Sequence, residues 1–259
     1  MKLKITMLGS GNVATHLSLA LINAGHKIIQ IYSRNIENAK VLAQKCDAIP
    51  IDDIPLLKNN SDLYIIAISD NAIADLVSKV DFNNKKVVHT AGSVSFNIFP
   101  KSITNSGVFY PFQTFSKKRE LQFLDIPICI EANNADFEKF LINLANQLSD
   151  KVLKINSEQR KYLHLSGVFA CNFVNHLYHI AGNLLSENNM DAELLIPLIR
   201  ETSAKMKQLS PFEAQTGPAV RNDKESINKH LDLLSSSPEY QQIYKLISDD
   251  VYNTHNFIT

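Results

Sequence analysis

The segment LKITMLGSGNVATHLSLAL, residues 3–21, restricts the fold more than any other part of the chain. A run of apolar and β-branched residues enters a glycine turn, and an apolar stretch of helical length leaves it, so the turn joins a buried strand to a helix. Within it, Gly9-Ser10-Gly11-Asn12-Val13-Ala14 fits G-x-G-x-x-A. The first glycine permits a tight turn, the second lets backbone approach a pyrophosphate, and the small third residue lets helix and strand pack closely. The helix N-terminus then turns its unpaired N–H groups toward the anion. Glycine turns after strands are common, but the strand-turn-helix setting at the start of a βαβ unit is what a dinucleotide site requires. The expected cofactor contacts here are Gly9, Ser10, Gly11, Asn12 and Val13.

The same alternation continues downstream. Strand-like runs fall at 3–8, 27–32, 48–51, 63–68, 86–90, 107–110, 126–131 and 151–155, with helical stretches between them. One helix, 12–24, ends at Gly25, a good residue just past a helix terminus; another, 36–45, begins after Asn35, a good N-cap. This pattern predicts an α/β fold with a doubly wound, mostly parallel sheet and a ligand at the carboxyl ends of its strands. After residue 155 the strand pattern stops. Helical periodicity predicts one long helix over 157–188, a second over 191–209, and two more after a loop at 211–223, divided near Pro238. The expected domains are therefore 1–155, which binds nucleotide, and 156–259, all helical.

The identity of the nucleotide turns on the end of the second strand, where an acidic side chain would accept hydrogen bonds from a ribose 2′-hydroxyl. The sequence there is IIQIYSRN, with Ser33 and Arg34 in place of the acid. A carboxylate would repel a 2′-phosphate, whereas a hydroxyl and a guanidinium bind it by charge-assisted hydrogen bonds. NADP (NADPH) is the expected cofactor, with an ordinary solvent-facing arginine as the competing reading. Later strand ends supply Ser69, which is equally placed to cap the following helix, and Thr90, Ala91 and Gly92, better placed for the nicotinamide.

Lys plus Arg and Asp plus Glu both total 26, so no broad basic field exists to attract nucleic acid or anionic lipid, and a small-molecule substrate becomes the expected partner. The three cysteines, Cys46, Cys129 and Cys171, match neither a disulfide framework nor a zinc pattern and read as reduced, buried thiols. No run approaches the ~20 apolar residues of a membrane span, and no signal-peptide pattern precedes the first strand. A cytoplasmic location is expected.

Beyond the glycine turn and the Ser33-Arg34 pair, the chain carries HTAGSV, then FYPFQTF at 109–115, His164-Leu165 with Asn172-Phe173, and TGPAVRND at 216–223. Together these resemble the Rossmann-like NADP oxidoreductases that carry the domain of unknown function 2520, over nearly the whole chain. The PFQTF and TGPAVRND segments are the specific part. Asn222 departs from the glycine expected in that loop. The resemblance implies a Rossmann domain followed by a helical domain like those of pyrroline-5-carboxylate reductase, 6-phosphogluconate dehydrogenase and ketopantoate reductase. It also implies a homodimer formed through the helical domain. It supplies no substrate.

Hydride transfer belongs to the cofactor, and the protein must position substrate and handle one proton. On a regular helix over 157–188, His164, Val168 and Asn172 form a row roughly 12 Å long. Hydroxyacid dehydrogenases of related architecture carry a lysine and an asparagine four apart on the equivalent helix, and here Val168 stands where that lysine would be. His164 becomes the candidate general acid, since its ordinary pKa lies near working pH, and Asn172 the candidate that orients a carbonyl or imine. They are too far apart to grip one atom and would flank a substrate. The bland reading of both is a side chain satisfying nearby backbone or facing a domain interface. His176 and His179 read as surface or dimer residues, with no third ligand for a metal. Gln113 and Thr114, after the stiffening Pro111, are candidate substrate contacts or simply a polar turn. Arg221 either binds a substrate carboxylate or ties helical domains together. The leading expectation is an NADPH-dependent reductase of a small carbonyl or imine. The alternative is a non-catalytic NADP-binding sensor or interaction module, favoured by the missing lysine. A methyltransferase ranks behind both, because it would want the acid that Ser33-Arg34 replaces.

Overall fold

The computed structural model describes residues 2–82 and 84–256. They form two compact units, Met1–Asn172 and Phe173–Thr259.

In chain order the first unit contains β1 (Lys4–Leu8), α1 (Asn12–Asn23), β2 (Lys27–Tyr32), α2 (Ile36–Cys46), β3 (Ile49–Ile51), β4 (Leu63–Ile66), α3 (Asp70–Lys79), β5 (Lys86–His89), β6 (Asn105–Pro111), β7 (Ile128–Ala132), α4 (Ala135–Ala145), β8 (Val152–Lys154) and α5 (Ser157–Gly167). The strands form one sheet in the order β3-β2-β1-β4-β5-β6-β7-β8. All described pairings are parallel except β6 with β7, where Pro111 faces Ile128 and Gly107 faces Ala132. The expected doubly wound sheet is thus present, with strand ends displaced from the expected ones by a few residues.

Strand periodicity explains why helices cover both faces. Ile5, Met7, Leu63 and Ile65 enter one core cluster, while Leu8, Tyr64 and Ile66 enter the other. Successive side chains point to opposite faces, so both faces are apolar and both need cover. Leu17 and Leu21 of α1 and Phe137 and Leu141 of α4 close the first cluster; Ile73, Leu76 and Val77 of α3 close the second. Helix ends follow local chemistry: the Asn35 side chain accepts from the backbone of Glu37 and Asn38 to start α2, and Gly25, φ +88°, follows the end of α1.

The expected uninterrupted α-helix over 157–188 is corrected. Val168–Phe173 is a π-helical turn. Its hydrogen bonds run to the fifth residue, so the regular α-helical spacing assumed for His164, Val168 and Asn172 does not continue through it. Cys46 and Cys129 are buried as expected, but Cys171, in the same turn, is exposed.

The second unit holds α6 (Val174–Glu187), α7 (Ile196–Lys205), α8 (Pro211–Ala214), α9 (Lys224–Leu233) and α10 (Pro238–Asn256), with a 3-10 turn at Ala192–Leu195 before α7. It contains no strand among the described residues. The expected loop at 211–223 includes α8, because Pro211 occupies the first turn and Ser210 and Glu213 form a reciprocal capping box. Asn222 adopts φ +52°, so the left-handed turn that glycine would serve is taken by asparagine, the residue that best tolerates it after glycine. No helix of the described residues is long and apolar enough to cross a membrane.

Candidate functional site

A cavity of about 770 Å³ opens along the carboxyl ends of β1, β2, β4, β5 and β6, in the first unit. Its wall begins at the glycine turn. Gly9 has φ +136°, and a Cβ there would lie 2.0 Å from the Ala67 carbonyl oxygen, so only glycine lets the turn pass over the end of β4. At Gly11 a Cβ would meet nothing within 4 Å, which leaves room beside the backbone for a ligand. The first turn of α1 contains no acidic residue, and its N-cap, Gly11, makes no side-chain hydrogen bond to it. Its N–H groups are therefore available to an anion. These features fit a pyrophosphate.

Tyr32, Ser33, Arg34, Asn35 and Asn38 line the same cavity past the end of β2. Arg34 is exposed and forms no ion pair among the described residues. Lys79, which also lines the cavity, is paired with Asp75 at 2.8 Å. This end carries hydroxyl, amide and guanidinium donors, with no acid in the position that would read an unphosphorylated ribose.

At the other end lie Thr90, Ala91, Gly92, Tyr110, Gln113 and His164. The backbone after β5 is held by its own residues. The Ala91 N–H donates to His89 Nδ1 at 3.2 Å, and the Ser93 hydroxyl donates to the Asp70 carboxylate. His89 is fully buried; desolvation, aided by the Arg160 charge, lowers its pKa to about 3, so the ring is a neutral acceptor. Ser69 occupies the N-cap position of α3 without a side-chain capping bond, so the capping role anticipated for its hydroxyl is not taken.

His164 reaches this end because α5 is fastened in three places. Ser157 donates to both carboxylate oxygens of Glu131, from its N–H at 3.1 Å and its hydroxyl at 2.8 Å. Arg160, 1% exposed, pairs with Glu131 and donates to the Val94 carbonyl at 2.6 Å. At Gly167 a Cβ would come within 2.8 Å of the Phe112 ring, so this glycine allows the helix to press on the segment after β6. The result is a 3.1 Å hydrogen bond between the Tyr110 hydroxyl and His164 Nδ1. Burial, together with neighbouring Cys129 and Asp70, pushes the Tyr110 phenol up to about 12, and it stays protonated at neutral pH.

Gly9, Ser10, Gly11, Asn12, Val13, Ser33, Arg34, Ser69, Thr90, Ala91, Gly92, Gln113 and His164 all line one cavity. Thr114 and Asn172 are exposed and do not line it. Arg221 belongs to the second unit, exposed in the turn before α9. Sequence reasoning passed over Tyr110 and Asp70 as site residues. Both follow the rule that marked Thr90, standing at a strand's carboxyl end or just beyond it. His176 and His179 are exposed, and no metal-ligand cluster occurs among the described residues.

Comparison with known proteins agrees with this geometry. Residues 4–92 match the family NADP oxidoreductase coenzyme F420-dependent, and residues 126–251 match the domain of unknown function 2520. A Bacteroides fragilis protein provisionally designated an NADP oxidoreductase has a crystal structure that is 42% identical in sequence, covering 97% of this chain and 98% of that one, with a TM-score of 0.93. The chain belongs to this NADP oxidoreductase family. A glycerol-3-phosphate dehydrogenase (NAD(P)+) of Legionella pneumophila strain Corby is 23% identical over 229 residues, covering 80% of this oxidoreductase and 67% of its relative. The crystal structure of 1-pyrroline-5-carboxylate reductase from Streptococcus pyogenes covers 97% of the oxidoreductase and 99% of its own chain at 12% identity and a TM-score of 0.64, a likeness of fold. The expected architecture, family and NADP cofactor are borne out.

Proposed function

We propose that this NADP oxidoreductase reduces a small carbonyl or imine compound. The observation that carries the reading is a single cavity with a phosphate-binding turn at one end and the Tyr110 and His164 pair at the other. In this reading Gly9, Ser10, Gly11, Asn12 and Val13 hold the pyrophosphate, and Ser33 and Arg34 hold the 2′-phosphate. Ser69, Thr90, Ala91 and Gly92 border the nicotinamide. When bound, NADPH supplies the hydride. His164 supplies the proton to the substrate heteroatom, and Gln113 orients the substrate by hydrogen bonding. Thr114, Asn172 and Arg221 are assigned no direct role in the first unit's cavity; Arg221 acts in the helical unit, where its charge helps to keep the Asp223 carboxyl low, after the larger effect of Ser226.

We also propose that the helical unit, the 156–259 domain of the sequence reading less its first helix, forms a homodimer. Among its described residues only Ile180 and Leu234 are buried hydrophobics, while Leu194, Leu198, Leu233 and Leu246 are each at least 64% exposed. A helical unit so poor in core is stabilised by a second apolar surface, and a second copy supplies one.

A single-turnover assay tests the reading. NADPH-loaded protein is mixed with a panel of keto acids and cyclic imines, and loss of nicotinamide absorbance is followed. Oxidation that disappears in His164→Ala supports the reductase. Tight NADPH binding with no turnover across the panel would instead favour a non-catalytic NADP-binding module. Sedimentation of the full chain at micromolar concentration reads the dimer directly.

A further inference from the structure

We propose that Tyr110 is a positioning residue that fixes His164 as the Nε2–H tautomer, so that the site offers an N–H donor and selects substrates with a free lone pair. These are a carbonyl oxygen or a neutral imine nitrogen, as opposed to an iminium cation. The inference rests on the reductase reading above.

The phenol lies 3.1 Å from Nδ1, with the two rings edge to face. A neutral imidazole has one N–H and one acceptor nitrogen, and its tautomer is set by the partner of the nitrogen already engaged. Burial keeps the Tyr110 proton on the phenol, which makes the hydroxyl the natural donor and Nδ1 the acceptor. The remaining ring proton then belongs on Nε2. Among the described residues no group is bonded to Nε2. Gly92 closes the Nδ1 edge: a Cβ there would lie 2.5 Å from Nδ1 and 2.8 Å from the Tyr110 oxygen, so the backbone that borders the nicotinamide end already abuts this pair. Nε2 is the nitrogen left for substrate. An iminium nitrogen, already carrying a proton and no lone pair, has nothing to accept from an N–H donor and is disfavoured.

The arrangement also balances the proton. When the Nε2–H bond breaks and its proton passes to the substrate heteroatom, the Tyr110 O–H proton moves to Nδ1; water then supplies a proton to Nε2, and the Nδ1 proton returns to the phenolate, which restores the Nε2–H tautomer.

The test is a long-range proton-nitrogen NMR spectrum of the full-length protein labelled with nitrogen-15 in histidine, with His164 assigned by comparison with His164→Gln. At pH 7.5 the expected spectrum has a protonated Nε2 and an unprotonated Nδ1. In Tyr110→Phe, which preserves ring volume, the preference is lost and the His164 signals move to the averaged positions of a mixed tautomer. A wild-type ring with its proton on Nδ1, or charged at both nitrogens, overturns the proposal even if the variant does not fold. So does an unchanged tautomer in folded Tyr110→Phe. Turnover is scored separately on the same samples. The expected tautomer without turnover on any ketone or imine defeats the reductase reading, whereas turnover with the wrong tautomer defeats only the assignment to Tyr110.

Discussion

Arg160 stands one helical turn before His164, and its buried guanidinium is paired with the carboxylate of Glu131 on β7. The residue that fastens α5 to the sheet is therefore separated from the residue that faces the cavity by a single rise of the helix. Removing one partner of a buried pair leaves the other uncompensated, at a cost of roughly 3–5 kcal/mol. Glu131→Gln is expected to lower the urea midpoint with an unchanged slope. It should also weaken the His164 effect on turnover, because α5 loses its hold. An unshifted midpoint would mean that the pair contributes nothing.

Arg34→Ala addresses the 2′-phosphate. Loss of a charge-assisted contact corresponds to about 1.5–3 kcal/mol, or roughly 10-fold to 150-fold in affinity. Fluorescence titration should find NADPH weakened by that factor and NADH almost unaffected. Equal weakening of both cofactors would remove Arg34 from the assignment.

Gly9→Ala places a methyl group 2.0 Å from a backbone oxygen at φ +136°. Neither the oxygen nor the strand that carries it can move cheaply, so the variant should lose about 3 kcal/mol or more of stability. Thermal melting reads the loss. NADPH should no longer raise the melting temperature of whatever fraction folds, because the proposed pyrophosphate site is built on the backbone of that turn.

His89 gives a pH dependence with a definite sign. Its folded pKa is about 3 against the ordinary 6.5, so between those values the unfolded chain takes up a proton that the folded chain refuses. Stability is full above pH 6.5 and falls as the pH drops, by roughly 3 kcal/mol between pH 7 and pH 4 from this residue. His89→Gln keeps an acceptor for the Ala91 N–H and cannot be charged. Its melting temperature should fall less steeply over that range than the wild type's, and parallel curves would exclude His89 as the source.

The parts of the molecule that were readable in advance share one property: local chemistry decides them. β2 runs over Lys27–Tyr32 as its apolar run requires, Asn35 caps α2, and the strand-to-helix turn lies where Gly9 and Gly11 permit it. The Tyr110 to His164 bond joins residues 54 apart and leaves no periodic trace, so the partner of the candidate histidine was invisible. The π turn was invisible for another reason. Val168–Phe173 contains ordinary helix-compatible residues, and one additional residue in a turn changes no composition. Cys171, expected to be buried, lies in that turn and is exposed.

The single antiparallel pairing among the described strands decides where the chain can change length. Because β7 runs back along β6, the chain leaves the sheet at Pro111 and re-enters opposite it at Ile128, with the intervening segment attached at the cofactor edge by both ends. The Lys117 N–H reaches the Asn12 side chain at the start of α1, so this segment also touches the helix behind the glycine turn. Lengthening this segment at the exposed positions 118–120 costs only slowly growing loop entropy, while Phe123 and Ile126 stay in the core. The chain can therefore gain length there while every strand and the glycine turn keep their places.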